Sequence, residues 1–406
     1  LAAYSARSDE NARRARDDLL GLQNSRKARE GGLAGLLDPV FLERKQRAER
    51  ALRDAVARDA RFTQTADAWP LIAAAQHTIA ENAERYRLLE SARGFSCDLF
   101  GLARTLLRAA EERPKPDGER LSEFRESGRA SLELQLFSAR PIYKDYEQLC
   151  LADSLTFLAE RLGMRHPLVE RVLAGKSPRQ RAAELVAGTK VNDAAFRRRL
   201  YDGGRAAVDA AADPMIELAR SVDAEARAVR EIVEAQEEVK RQAHAQIASA
   251  RFAVEGTSSY PDATFTLRLA FGIVKGYEEN GRPVPFQTTF AGLYQRSAEQ
   301  GGRPPFDLPP RWIKAKHRLD LSMPLNFVST ADIIGGNSGS PVVNKQGELV
   351  GIIFDGNLHS LVLDFYFTEE QARALAVHSR GILHALRRVY RANRLADEIE
   401  GRPVRK

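Results

Sequence analysis

The chain has 406 residues, 43% of them hydrophobic and 29% charged, with a formal net charge of +7. This composition excludes a disordered chain, and the length allows two or three cores. No apolar run approaches the roughly 18 residues of a membrane-spanning helix, so no membrane insertion is expected. Arginines alternate with acids as on solvated helix faces, which argues against a nucleic-acid patch.

The sequence opens at Leu1-Ala2-Ala3-Tyr4, with neither initiator methionine nor signal peptide, and reads as a processed or cleaved start. Residues 1–255 then read as one large all-helical domain. Asp38-Pro39 is an N-cap followed by proline at the first helical position, Ser177-Pro178-Arg179-Gln180 has capping-box spacing, and Asp213-Pro214 opens a further helix. On that helix Val222, Val229, Ile232, Val239 and Ile247 recur at helical spacing. Breaks are expected at Gly31-Gly32, at Pro114 to Gly118 and at Tyr201 to Gly204. Cys97 and Cys150 lack metal-ligand spacing, and a disulfide and two free thiols both stay open.

At Gly256 the pattern changes, and 256–406 reads as a β domain ending in a helix, so the fold class is α+β. Thr264 to Phe271 alternates as a half-buried strand, and Ile273–Tyr277 with Pro283–Phe286 flank the turn Asn280-Gly281 as a hairpin. Leu325–Val328 leads into Thr330-Ala331-Asp332-Ile333-Ile334-Gly335-Gly336-Asn337-Ser338-Gly339-Ser340-Pro341. Val342-Val343 and Leu349–Phe354 follow as strands around the turn Lys345-Gln346-Gly347, with paired strands expected through Phe367. From Thr368 the residues Ala374, Leu375, Ile382, Leu383, Leu386 and Val389 fall on one side of a terminal helix.

The stretch around Ser338 carries the chemistry. Glycines let neighbouring amides turn toward one point, the geometry that stabilises an oxyanion on an attacked carbonyl. Taken alone, the same residues also suit an ordinary loop between two strands. The longer run from Gly336 through Pro341, then Val342-Val343, Gly347 and Val350-Gly351-Ile352, resembles the nucleophile segment of chymotrypsin-fold serine peptidases. That resemblance makes Ser338 the nucleophile and assigns the amides of Gly336 and Ser338 to the oxyanion hole. It also makes the β domain half of a double barrel. A serine nucleophile needs an oriented imidazole. His77, His166, His244, His317, His359, His378 and His384 lie in no recognisable base motif. In the chymotrypsin fold the base and its carboxylate come from the first barrel, so both are expected to lie outside this chain.

Three blocks sharpen the resemblance: Gly256 to Arg268, Pro324 through Asn357, and Val377-His378-Ser379-Arg380-Gly381-Ile382. Together they resemble the bacterial dipeptidyl-peptidase 7/11 family, in which a helical domain is inserted between the barrels. The resemblance implies a periplasmic exopeptidase that releases dipeptides from peptides with a free N-terminus, needs no cofactor or metal, and could assemble as a homodimer. The helical insertion would cover one end of the cleft. Asp355 would receive the substrate ammonium, Asn11 from the helical domain would assist it, and Gly356 would line the S1 pocket. With glycine where acid-specific members carry arginine, an apolar or aromatic P1 residue is expected, because an acidic one would be desolvated unpaired. Two other readings remain: an endopeptidase of the same fold, and a non-enzymatic helical module or inactive fragment.

Overall fold

The computed structural model describes residues 1–256 and 267–403, apart from the side chains of Thr63 and Gln64. It divides into two compact units, Leu1–Arg16 with Arg53–Val254, and Asp17–Leu52 with Glu255–Lys406. A large helical portion and a smaller sheet portion make the fold α+β. The sequence pattern grouped Asp17–Leu52 with the other helices, whereas its contacts are with the sheet unit. There Phe41 meets the edges of Phe365 and Tyr366, at ring distances of 6.4 and 6.2 Å.

The first unit is a stack of helices, among them Ala68–Arg85, Asp98–Glu112, Lys144–Leu162, Pro178–Gly188 and Ala194–Ala210, with the long Pro214–Glu255. The expected caps form. Ser177 and Gln180 close a reciprocal capping box, and Asp213 Oδ1 accepts from Met215 N at 3.0 Å and Ile216 N at 3.3 Å. Of the apolar positions expected on the long helix, Val222 and Val229 are buried while Ile232 is exposed; Met215, Ile216, Leu218 and Ala226 complete the inner face. The break expected at Tyr201 to Gly204 is present as a kink: Gly204, at φ 58° and ψ -147°, interrupts the helical conformation inside Ala194–Ala210.

A buried ion network ties four segments of this unit. Arg108 forks onto Glu90 (2.8 and 2.6 Å) and donates Nε to Asp223 at 2.7 Å. Arg230 joins Glu90 to Glu123, and Arg227 joins Asp223 to Glu112. Burial opposes ionisation of Glu90, but the Arg108 fork outweighs it and holds the carboxyl below its usual range. Glu147 differs. It is buried and accepts from Leu99 N at 2.8 Å, with no cation hydrogen-bonded to it, and burial pushes its carboxyl up to about 7. Cys97 and Cys150 are not joined in a disulfide.

In the second unit, β1 (Tyr277–Glu279) and β2 (Arg282–Val284) form the expected hairpin, with Asn280 and Gly281 both at positive φ. Five further strands, β3 (Gln287–Thr289), β4 (Pro324–Ser329), β5 (Pro341–Val343), β6 (Leu349–Gly356) and β7 (Ala374–His378), form an antiparallel sheet in the order β3-β4-β7-β6-β5. Among the described residues this sheet does not close into a barrel. A small core of Phe290, Tyr294, Ala315, Leu319 and Val389 packs beside it, with Trp312 stacked on Phe290 at 5.9 Å.

Four expectations are corrected here. Ala374–His378 is the central strand, not the start of the terminal helix, which begins at Ser379. Ala374 and Ala376 are buried in the ladder, so strand pairing on both sides overrides their helical preference. Leu358–Asp364 is a 3-10 helix where strands were expected. Of the strand expected over Thr264 to Phe271, residues 264–266 lie outside the described residues, and Leu267–Ala270 has no regular structure; regular pairing begins with a bridge from Val274 to Ser329. Finally, Gly31-Gly32 does not break the helix Asp9–Leu36. A Cβ on Gly31 would overlap Leu361, and one on Gly35 would sit 3.2 Å from Val362 Cγ2, so these glycines allow close approach to the 3-10 segment.

That segment also closes over the end of β6. A Cβ at Gly356 would overlap Ser360 Oγ and lie 2.9 Å from Ser360 Cβ, while Ser360 Oγ donates to Asn357 O at 2.7 Å.

This packing has two measurable consequences. The unfolded state binds fewer protons at Glu147 than the folded state between about pH 4.5 and 7, so this group lowers stability as pH rises through that window. Glu147→Gln keeps an acceptor for Leu99 N and removes the charge. Denaturant titration should find it more stable than the parent by about 1–3 kcal/mol at pH 8, with no gain at pH 4.5; an equal gain at both pH values would refute the assignment. Gly356→Ala should cost about 1–3 kcal/mol by overpacking, and Ser360→Gly should recover at least half of that in the double variant. Strict additivity of the two changes would show that these positions do not compete for space.

Candidate functional site

The serine loop joins β4 to β5 in the sheet unit. Gly339 N donates to Ile353 O at 2.8 Å and Ile353 N donates to Ser340 O at 3.0 Å, so the loop's end is hydrogen-bonded to β6. Asn337 closes the loop on itself: its Oδ1 accepts from Ile334 N at 2.9 Å and its N donates to Ile334 O at 3.2 Å. Gly336 and Gly339 bracket Asn337-Ser338 at φ 98° and 88°, in the region where a side chain would be strained. Upstream, Asp332 pairs with Arg268 at 2.8 Å, both nearly buried, and Thr330 N donates to Ile273 O at 3.0 Å.

This folding sorts the loop's amides. Those of Asn337, Gly339 and Ser340 donate to main-chain carbonyls. Those of Gly336 and Ser338 meet no protein acceptor among the described residues. Ser338 is exposed, and its hydroxyl makes one long contact to Phe354 O at 3.4 Å. Phe354 is the extra residue of a β-bulge, since Ile353 pairs with Ala376 and Asp355 with Leu375. A bulge leaves its extra residue out of the ladder, and here its carbonyl contacts the serine.

Asp355 follows at the exposed end of β6, where its Oδ1 accepts from Gly356 N at 2.8 Å and engages no cation among the described residues. Behind it, Asn357 N donates to Arg373 O (3.0 Å), Asn357 Oδ1 accepts from Arg373 N (2.9 Å), and Asn357 Nδ2 donates to Gln371 O (2.7 Å). Arg373 is buried, and its guanidinium donates to the carbonyls of Lys275, Gly276, Glu369 and Ala372. Burial pulls its pKa down. Ser338, Asp355 and Gly356 therefore gather around the bulged end of one strand. Sequence reasoning missed Asn357, Ser360 and Arg373 as its supports, because their contacts cross from β6 to the residues before β7 and no local motif marks them.

Asn11 belongs to the other unit. Its amide N donates to Ser8 Oγ at 3.1 Å, and Ser8 Oγ in turn donates to Asn11 Oδ1, a local arrangement at the start of the helix Asp9–Leu36. Among the described residues no histidine of the sheet unit hydrogen-bonds Ser338. In the sheet unit His378 Nδ1 caps a helix by accepting from Arg380 N, His384 Nε2 accepts from Asp320 N, and His359 sits 3.2 Å from Glu279. Burial, then the neighbouring Arg380 and Arg388, pull His378 and His384 respectively toward the neutral form. Among the described residues no three His, Cys, Asp or Glu side chains converge as a metal site.

Comparisons with known proteins place this geometry in context. A dipeptidyl-peptidase 7 from Phocaeicola vulgatus is 37% identical over 148 residues, covering 34% of this chain and 20% of the relative. An Asp/Glu-specific dipeptidyl-peptidase from Shewanella putrefaciens is 27% identical over 354 residues, covering 75% and 46%. The chain thus spans at most about half the length of these relatives. The crystal structure of Porphyromonas endodontalis DPP11 in complex with the dipeptide Arg-Glu superposes with a TM-score of 0.70 at 22% identity, covering 94% of this chain and 56% of that one. The same fold also matches that protein's complex with Arg-Asp, at a TM-score of 0.68. The Peptidase S46 family model matches residues 1–401, and the chain therefore belongs to the Peptidase S46 family.

Proposed function

We propose that this chain carries the nucleophile and the substrate anchor of a serine dipeptidyl-peptidase that releases dipeptides from the free N-terminus of peptides. The observation that carries this reading is the exposed Ser338 hydroxyl beside two amides, Gly336 and Ser338, that donate to no protein acceptor among the described residues. Donors exposed beside a hydroxyl, and met by solvent in the free protein, are open to an oxyanion. Membership of the S46 family and relatives named as dipeptidyl-peptidases support the same class.

In this mechanism Ser338 Oγ attacks the second peptide carbonyl and forms the acyl C–O bond while its proton passes to an imidazole. The oxyanion accepts from the two amides. The C–N bond then breaks, the leaving amine takes the proton, and water cleaves the ester by the same steps. No histidine of the sheet unit hydrogen-bonds Ser338 among the described residues, and the resemblance to the chymotrypsin fold assigns the imidazole to that fold's first barrel. Asp355, exposed and without a cation, would pair with the substrate ammonium and so fix cleavage two residues from the terminus.

We assign P1 preference to apolar or aromatic residues. At Gly356 the adjoining space holds the Ser360 hydroxyl and Ile333 Cγ2 rather than a cation. Several relatives are named Asp/Glu-specific, and they make an acidic P1 the second reading.

The test uses the full polypeptide as the cell makes it and fluorogenic dipeptidyl amides. Free amino termini with Phe or Leu at P1 should be cleaved, N-acetylated ones not, and Asp or Glu at P1 at least tenfold more slowly. Ser338→Ala should lower kcat by at least about 10³-fold. Asp355→Asn should lower kcat/KM by roughly ten- to hundredfold, mainly through KM, as expected for one charge-assisted contact. Equal cleavage of acetylated and free substrates would overturn the exopeptidase assignment, and faster cleavage after Asp or Glu would overturn the P1 assignment alone.

A further inference from the structure

Within the helical unit lies a cleft of about 590 Å³ unrelated to the serine loop. Leu102, Leu132 and Ile142 supply apolar wall, and three arginines, Arg104, Arg140 and Arg197, also line it. Their partners differ in a way that matters. Arg140 pairs with Asp98 at the rim. Arg197, only 1% exposed, donates to the carbonyls of Leu136 (2.6 Å), Val191 (2.7 Å) and Ser138 (2.8 Å). Arg104 donates to the carbonyls of Leu89 (3.1 Å) and Glu90 (2.8 Å). Neither Arg104 nor Arg197 hydrogen-bonds a carboxylate among the described residues, and each guanidinium has five N–H donors, more than its carbonyl bonds use.

The contrast with the ion network in the same unit gives this arrangement its meaning. There Arg108 and Arg230 each meet carboxylates and are neutralised where they stand. Here the lining carries three cations and one acid, Asp98. Burial pulls Arg104 and Arg197 below the usual guanidinium range, which marks two desolvated charges without a contacting counter-ion. A cleft of this size suits a small organic molecule, its apolar wall suits an apolar body, and a planar carboxylate matches a guanidinium fork.

We propose that this cleft is a binding site for a small organic carboxylate with an apolar body, its carboxylate beside Arg104 and its body against Leu102, Leu132 and Ile142. A bound carboxylate would add a contacting counter-ion to the carboxylates of Glu90, Asp223 and Glu123, which act on Arg104 without hydrogen-bonding it. The site is independent of the peptidase chemistry.

Isothermal titration of the full chain with 3-phenylpropanoate, and with the neutral 3-phenylpropanamide, tests this at low ionic strength. The acid should bind saturably with one site, at least tenfold more tightly than the amide. Arg104→Gln should weaken the acid at least fivefold with little effect on the amide, and Leu132→Trp, which fills the cleft, should abolish binding of both. No saturable binding of the acid would overturn the proposal, as would equal affinity for acid and amide. If Arg104→Gln fails to fold, Leu132→Trp decides the location, since acid binding that survives it lies elsewhere.

Discussion

The site depends on two main-chain hydrogen bonds, Gly339 N to Ile353 O and Ile353 N to Ser340 O. They fix the end of a loop whose middle closes on itself through Asn337 and whose start is held by Arg268 and Ile273, and they fix it to the strand that carries Asp355 two residues later. Because the anchor lies at Ile353, the bulge that follows places Phe354 O at Ser338. One register therefore sets the serine, its free amides and the carboxylate together. A shift of β6 by one residue would move Asp355 to the opposite face of the sheet and lose the arrangement entirely.

Buried arginines are satisfied by two different means, carboxylates and main-chain carbonyls, and Arg197 of the helical unit uses the second. In the helical unit Arg108, Arg227 and Arg230 meet carboxylates from distant segments, so each ion removed would strand its partners, at a cost of about 3–5 kcal/mol for a broken buried pair. In the sheet unit Arg373 meets carbonyls instead. Its four acceptors lie on the segment before β1 and the segment before β7, so one side chain caps backbone groups that no strand pairing satisfies. It thereby holds its own main chain where Asn357 docks, and Asn357 ends the strand of Asp355. The carboxylate's position rests on a residue some 18 positions later in the chain, a separation read directly from the numbering.

Local chemistry was legible in the sequence where a few neighbouring residues decide the outcome. Ser177 with Gln180, Asp213 before Pro214, and Asn280-Gly281 each satisfy their own backbone, and each forms as expected. The serine loop belongs to this group, since its glycines and Asn337 shape it from within. Ala374–His378 was not legible. An alanine-rich stretch before helix formers matches a helix locally, and only its two strand neighbours, distant in sequence, make it the centre of the sheet. Gly31-Gly32 misled for the same reason. Glycine signals a break when its backbone freedom is used, but here its missing side chain is what matters, and the residue that approaches Gly31 is Leu361.

Gly356 shows how this difference bears on specificity. From sequence the position looks like open space, a pocket made roomy by the loss of a side chain. In the fold that space already belongs to Ser360, held there by its bond to Asn357 O. The space beside Gly356 is thus a joint property of β6 and the 3-10 segment after it. A larger residue at 356 requires that Ser360 be smaller or its segment displaced, and the same segment packs against Gly31 and Gly35 of the helix Asp9–Leu36. Under the proposed assignment of Gly356 to the S1 pocket, specificity would be coupled to the packing of a helix more than 300 residues earlier in the chain, a distance set by the numbering. Substituting residue 356 alone would then strain that contact.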